Sequence, residues 1–355
     1  MRAARWILAG CAVALSLHAL LHRRVEAPAQ EIVVAKPTRP PDDGCPTTVR
    51  VALCFYGLNR ALRHTHESIR RHLVAPLRAA CARVDVFYHT WSLETLEDTG
   101  KAGGEREAVR IGGAAEMRAL LGDLVAKSAV TDQAAFDAAA SNASYYKTLD
   151  RRYGGPNFVN LMRQLESLRR VTALWRSMGA HAETHYAAVI YARPDLLFLD
   201  DVNATQALTL RENDFLTPYW HQWSGLNDRV AIGRPRAAAA FGNRIELAAG
   251  YALETFLRSE SFLKWAVCDH HGFDLAFLEA RAQRVRASGD VADNDACLKY
   301  CSLSLRRTCR ADCRKLAPPG EAPPLAAWAK KQQARDREKR RDKRPPKHAH
   351  HNRLP

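Results

Sequence analysis

Residues 48–91, TVRVALCFYGLNRALRHTHESIRRHLVAPLRAACARVDVFYHTW, decide the fold. The run TVRVALCFYG is β-branched and apolar, and it stops at Gly57, a residue free to take a tight turn. From Asn59 onward Leu62, Ile69, Leu73 and Leu77 recur at helical intervals, and RVDVFYHT then reads as a second strand. Strand, tight loop, helix and strand make a right-handed βαβ start, which implies a parallel sheet. The second strand closes on His89, Thr90 and Trp91, three polar or aromatic groups that an ordinary buried strand does not need at its end.

Outward from that unit the pattern continues. Phe158, Leu161, Leu165, Leu168, Val171, Leu174, Trp175 and Met178 trace one stripe of a long helix. HYAAVIYARPDLLFLDDV is a near-continuous apolar strand broken at Arg193-Pro194-Asp195, because Pro194 has no ladder donor and biases Arg193 away from helix. DFLTPYW, DRVAIG and RVRAS read as short strands, and residues 235–257 and 260–270 as helices. Alternating strands and helices give an α/β class. Residues 94–156, rich in Ala, Gly and charge, are expected to form short helices around 114–126 and 131–140, outside the core sheet.

The 355 residues carry a formal net charge of +15. Of this, 11 − 4 = +7 lies in residues 319–355, a proline-rich basic tail with few large apolar side chains, expected to be disordered. Trp6–Leu21 is free of formal charge and flanked by arginines, the make-up of a signal anchor across 1–24 or of a cleaved signal peptide. A proline-rich stem, 25–48, follows, so the folded domain is expected over 49–318. Asn142-Ala-Ser144 and Asn203-Ala-Thr205 fit the glycosylation tripeptide. Cys297, Cys301, Cys309 and Cys313, paired at helical spacing, suit disulfides in an oxidising lumen; zinc fits less well, because the segment between the pairs is short and no histidine joins.

Ligands of open α/β sheets bind beyond the C-terminal strand ends. Three stretches are suspicious there. In FYGLNR, Gly57 permits a turn, Asn59 can cap the helix, and that helix's amides with Arg60 suit a phosphate; an ordinary capped turn explains the same residues. His89, Thr90 and Trp91 offer hydrogen bonds and a stacking face, or simply end a strand. Arg193 and Asp195 leave a strand together: an aspartate can ligate Mg²⁺ or Mn²⁺ on a nucleotide diphosphate and an arginine can neutralise it directly, with Asp200 and Asp201 as further carboxylates. Apart from these, in SGLNDRVAIG, Asp228 precedes a short strand and can orient an acceptor hydroxyl or take its proton; a plain turn of Gly225, Asn227 and Asp228 explains the same residues. Glu260 begins a helix, with Ser259 as its possible cap, which the macrodipole alone explains. There is no GxxxxGK[ST], GxSxG or HExxH pattern, which disfavours P-loop, α/β-hydrolase and zinc-protease chemistry.

The order of CFYGLNR, DVFYHTW, the long helix, VIYARPDLLF, LNDRVAIG and SESFL, spanning about residues 50–290, resembles a family of glycosyltransferase-like proteins of algae, protists, bacteria and large viruses. The resemblance implies a single catalytic domain with a GT-A-like, Rossmann-type, mostly parallel sheet flanked by helices. It implies a nucleotide sugar as donor and a glycan or glycoconjugate acceptor. Membrane tethering through residues 6–21, in type II orientation with the domain in the Golgi or endoplasmic reticulum lumen, belongs to the same expectation. Carried over, Gly57, Asn59, Arg60, His89, Thr90, Trp91, Arg193 and Asp195 face the donor, and Asp228 and Glu260 are the catalytic candidates. Asp195 falls where the Asp-x-Asp metal motif lies, but Arg193 replaces the first aspartate, which puts a metal ion on Asp195 in question. A lumenal sulfotransferase and a non-catalytic carbohydrate-binding protein are the rival readings. The basic tail carries no groove-reading motif, and no nucleic-acid partner is expected.

Overall fold

The computed structural model describes residues 29–33, 45, 49–96, 109–142, 155–178, 185–222, 225–278 and 280–292. The expected anchor, the tail and the four clustered cysteines lie outside them. Among the described residues no helix is long and apolar enough to cross a membrane.

In chain order the elements begin with β1 (Ala29–Val33), β2 (Val49–Tyr56), α1 (Leu62–Ile69), a π turn (Arg70–Val74), α2 (Ala75–Ala79) and β3 (Ala82–Ser92). A two-stranded ribbon, β4 (Thr95–Leu96) and β5 (Val109–Arg110), leads to α3 (Gly113–Leu121), β6 (Val125–Asp132), α4 (Gln133–Asn142) and the long α5 (Gly155–Arg176). Then come β7 (Ala188–Ala192), β8 (Leu196–Phe198), α6 (Ala204–Leu208), β9 (Asp214–Pro218) and β10 (Val230–Gly233). The last elements are α7 (Pro235–Asn243), a 3-10 turn (Arg244–Leu247), α8 (Ala248–Glu254), α9 (Ser259–Lys264), a π turn (Trp265–His270), β11 (Asp274–Leu278) and β12 (Ala282–Arg284).

The main sheet has the order β1-β6-β3-β2-β7-β10-β9-β11. Strands β6, β3, β2 and β7 pair in parallel, as do β9 and β11, while β1 and β10 run against their neighbours. The fold is therefore α/β with a mostly parallel, Rossmann-type sheet: within its parallel half the third, second, first and fourth strands lie side by side. Helices cover both faces, and the sequence of β2 shows how. Val51, Leu53 and Phe55 pack with Leu62, Ile69, Leu73 and Leu77 on one side. Ala52, Cys54 and Tyr56 pack with Leu168, Val171 and Trp175 of α5 on the other. A strand buried on both faces must be apolar at every position, which is why this run shows no alternation.

Several expectations require correction. Residues 125–132 are not outside the sheet: VAKSAVTD forms β6, paired with β3 along Phe87–Ser92. Its small side chains leave a weak apolar signal, yet Val125 and Ser128 are wholly buried. DLAFL, unassigned in the sequence, is β11 at the far edge. RVRAS is no sheet strand; Arg284 ends β12, which pairs with β8 in a separate ribbon, and Val285 only bridges Val291. The helical stretch 235–257 breaks into α7, a 3-10 turn and α8. Within the expected stem, Ala29–Val33 adds β1 antiparallel to β6. Cys45 is joined to Cys81 by a disulfide, fastening the end of the stem beside β3.

Candidate functional site

The strand order reverses between β2 and β7, and a crevice opens at the C-terminal ends of the strands where such a reversal occurs. Phe55 of β2 lies in register with Ala192 of β7, so the Gly57 turn and the Arg193-Pro194-Asp195 turn leave the sheet side by side. Because β10 is antiparallel to β7 with Val230 opposite Ala192, Asp228 arrives at the same edge. Topology thus gathers two of the three suspicious strand ends and brings the Asp228 stretch to them.

Gly57 has φ +92, a left-handed conformation that favours glycine. The turn's amides, however, are largely committed. Gly57 N–H donates to Ser167 Oγ (2.7 Å), Asn59 N–H to Thr90 Oγ1 (3.2 Å) and Leu62 N–H to Asn59 Oδ1 (3.3 Å). Asn59 is buried, its side-chain amide donating to Gly113 O and Glu116 Oε2. The turn's cation, Arg60, lies against the Asp195 carboxylate.

His89, Thr90 and Trp91 do not line an open wall. All three are buried. His89 bonds Ser167 Oγ (2.7 Å) and Thr131 Oγ1 (2.9 Å), and burial, with Arg170 and Arg169 nearby, holds it well below the usual imidazole range, so it is neutral. Ser167 is the same hydroxyl that receives the Gly57 amide. His89 and Thr90 therefore brace the Gly57–Asn59 turn from behind, and Trp91 packs against Phe136 with ring centroids 4.9 Å apart. The polar end of β3 exists to fix the neighbouring turn.

At the end of β7, Asp195 is fully buried. Arg193 grips its two carboxylate oxygens through Nε (2.8 Å) and Nη2 (2.6 Å), and Arg60 Nε lies 3.3 Å from Oδ2. Burial opposes ionisation of Asp195, but Arg193, Arg60 and Arg284 outweigh it and hold the carboxyl far below its ordinary range. The turn is pinned by Thr65, whose hydroxyl donates to Pro194 O (2.6 Å), and by Val285 N–H on Asp195 O (2.8 Å). A divalent cation on Asp195 would have to displace a bidentate guanidinium and sit beside a second one. The residues present do not fit a metal ion. Asp200 and Asp201 stand apart, bonded to Arg281 and His72.

The Asp228 stretch forms a carboxyl pair with Glu260. The close approach of Gly225 sets it up: a Cβ there would meet Glu260 O at 1.9 Å, and Leu226 N–H donates to that same oxygen at 2.9 Å. Asp228 is thereby laid against the start of α9. Ser259 does not cap α9; its hydroxyl donates to Asp228 Oδ2, which also accepts from Gln164 Nε2 (2.8 Å). Tyr56 OH donates to Asp228 O (2.5 Å), tying this loop to the end of β2. Burial works against the Asp228 charge, but Ser259, Gln164, Arg244 and Arg229 outweigh it and keep the carboxyl below its ordinary value. Glu260 goes the other way: burial, reinforced by Asp228, pushes it up to about 8. At neutral pH the pair is one carboxylate and one carboxylic acid, a division of labour that suits proton transfer.

No protein-family model matches the chain, and no curated protein matches its sequence. Among solved structures, mouse xyloside xylosyltransferase 1 in its apo form aligns over 65% of this chain and 85% of its own, at 11% identity and TM-score 0.34. The apo glycosyltransferase GlyE of Streptococcus pneumoniae TIGR4 aligns over 65% of this chain and 45% of its own, at 10% identity and TM-score 0.32. The aligned region spans less than half of GlyE. Likeness this slight leaves the functional argument to the site's own residues.

Gln164, Ser167, Tyr56 and Arg244 join the site without having been singled out in the sequence. Gln164 and Ser167 are polar breaks, three residues apart, in the apolar stripe of α5. That spacing places both on one face and was the available signal.

Proposed function

We propose that this chain is a nucleotide-sugar-dependent glycosyltransferase of GT-A-like architecture, moving a sugar to an acceptor hydroxyl on a glycan or glycoconjugate. One observation carries the reading: an arginine cluster on Asp195 and a split carboxyl pair at Asp228 and Glu260 meet at the β2–β7 switch point. In an inverting displacement, ionised Asp228 takes the acceptor proton as the acceptor oxygen bonds to the anomeric carbon. The bond from that carbon to the diphosphate breaks, its electron pair leaving with the diphosphate, whose charge Arg60 and Arg193 offset. Glu260, protonated at neutral pH, donates a hydrogen bond to a substrate oxygen and does not compete as base. Asp195 serves to orient Arg193 and does not itself hold a metal ion. The expected setting is a type II anchor through residues 6–21 with the domain in the Golgi or endoplasmic reticulum lumen. The Cys45–Cys81 disulfide and the exposed Asn203 of the glycosylation tripeptide support it.

The test is a panel of UDP- and GDP-sugars incubated with the purified protein, with Mn²⁺ and with chelator. The expected result is hydrolysis of one donor, unchanged by chelator and lost in Asp228→Asn. An adenosine bisphosphate that stabilises the protein where no nucleoside diphosphate does would favour a sulfotransferase. No turnover and no nucleotide binding would reject both.

A further inference from the structure

Arg244 opens the 3-10 turn after α7 and is 1% exposed. Nη1 donates to Phe241 O (2.6 Å), and the guanidinium carbon lies 4.2 Å from the centroid of the Phe241 ring, which covers one face. Among the described residues, Nε and Nη2 have no hydrogen-bond partner. Buried guanidinium N–H groups are seldom left in this state, because each has given up water without gaining an acceptor.

The orphan pair is the edge of the group with two parallel donors. Elsewhere in this chain that edge grips carboxylates: Arg193 on Asp195 (2.8 and 2.6 Å), Arg169 on Glu166 (2.9 and 2.7 Å) and Arg281 on Asp200 (2.5 and 2.6 Å) each use Nε and Nη2. Arg244 presents the same fork with nothing in it. Its position is set by its neighbours. The charge of Arg244 helps keep Asp228 ionised, and Asp228, Tyr56 and Tyr191 in turn favour the cation, although burial pulls it down to about 10. The Asp228 carboxylate is held at Oδ2 by Ser259 and Gln164, and neither of its oxygens is bonded to the Nε–Nη2 edge. The next residue, Ile245, is buried in one cluster with Leu165 of α5 and Phe262 of α9, the helices that carry Gln164 and Glu260, so Arg244 sits beside this site with an unspent bidentate edge.

We propose that the Nε–Nη2 edge of Arg244 is a subsite for an anionic group with two coplanar oxygens, a carboxylate or a phosphate, carried by the ligand that the Asp228–Glu260 pair acts on. A planar fork matches such a group bidentately, whereas a single water offers it one oxygen. The assignment of that ligand as donor or acceptor rests on the transferase reading; the anion site itself does not. A sugar carboxylate here would make the acceptor a uronic acid, and a phosphate would make Arg244 a third arginine for the diphosphate.

The experiment is calorimetric titration of the full-length protein with inorganic phosphate, UDP, glucuronate and, as the neutral control, glucose, on wild type, Arg244→Gln and Arg244→Lys. We expect one anion class to bind wild type where glucose does not, with Arg244→Gln weakening it about tenfold or more and Arg244→Lys falling between, because an ammonium keeps the charge without the fork. Phosphate and UDP binding identifies a donor phosphate; glucuronate binding identifies an acceptor carboxylate. Absence of binding by every anion, or equal binding by all three proteins, overturns the proposal. Should Arg244→Gln fail to fold, ¹⁵N-arginine spectra of wild type decide: the Arg244 Nε–H resonance, assigned by its loss in Arg244→Lys, must shift on adding the anion, and an unmoved resonance refutes the site. Anion binding without donor hydrolysis would fail the transferase reading alone.

Discussion

Replacing Glu260 by glutamine tests the carboxyl pair directly, because its effect on stability has a defined direction with pH. Glu260 is raised from its ordinary 4.5 to about 8 by burial first and Asp228 second, with Arg229 and Arg258 pulling the other way. Between those values the folded protein holds a proton that the unfolded chain has released. The resulting stability is complete below pH 4.5 and is lost as pH rises through 8. At 1.36 kcal/mol per unit the span sets an upper bound of about 5 kcal/mol. Glu260 is only partly shielded from solvent, so about 2–4 kcal/mol is the expected loss between about pH 5 and about pH 9. Glutamine has no proton to lose, so Glu260→Gln should overtake wild type as pH rises. The depressed carboxyls of Asp228 and Asp195 do not confuse the result: their contribution is present above 3.8 and is lost only as pH falls below it. Urea unfolding of both proteins across that range reads the difference. Parallel stability curves would refute the raised acid and with it the split pair.

Other perturbations reach the remaining parts of the site. Arg193→Ala leaves the fully buried Asp195 with one guanidinium fewer and should cost about 3–5 kcal/mol by denaturant unfolding; a cost within error of zero would mean the pair is not buried as described. Trp91→Ala should cost about 3–5 kcal/mol as a core truncation while leaving the donor Kd of the folded fraction unchanged, and a selective loss of donor affinity would restore the indole to the cavity wall. Reducing the Cys45–Cys81 bond, which closes a separation of 36 residues, should lower stability by about 4 kcal/mol on the chain-entropy relation, seen as a drop in Tm with dithiothreitol that Cys45→Ser abolishes. Gly225→Ala drives a methyl into Glu260 O and should cost about 1–3 kcal/mol together with most of the turnover, measured by melting and donor hydrolysis.

The βαβ start, the long helix and the break at Arg193-Pro194-Asp195 were legible because each is written in large apolar residues at a regular period or in a proline. β6 was not, since Ala126, Ser128, Ala129 and Thr131 reach burial through small size, which hydrophobicity patterns register poorly. β11 was missed because Asp274 and Leu275 lie on an exposed edge where period is weakly enforced. At the site, a sequence displays residue types but not their surroundings. The end of β3 was rightly marked as unusual, but a sequence does not tell whether an imidazole faces a ligand or the serine of a distant helix. The partner here, Ser167, is 78 positions away.

The same limit explains why the Asp228–Glu260 pair could not be read as a pair. Thirty-two positions separate them, and nothing in LNDRVAIG or SESFL announces contact. Contact follows from two backbone facts: β10 returns antiparallel along β7, which carries Asp228 to the switch point, and glycine at 225 lets that loop touch the carbonyl of Glu260. Once adjacent and partly withdrawn from water, two carboxyls cannot both ionise cheaply. The one given Ser259, Gln164 and the charges of Arg244 and Arg229 keeps its charge, and the other keeps its proton. Acid and base at this site are therefore assigned by their neighbours, and exchanging those neighbours should exchange the roles. Ser259→Ala combined with Gln164→Leu removes both hydroxyl and amide donors from Asp228, so its apparent pKa should rise and that of Glu260 fall. Carboxyl ¹³C shifts followed through a pH titration would record that convergence, and titration curves unchanged from wild type would show that the split has another origin.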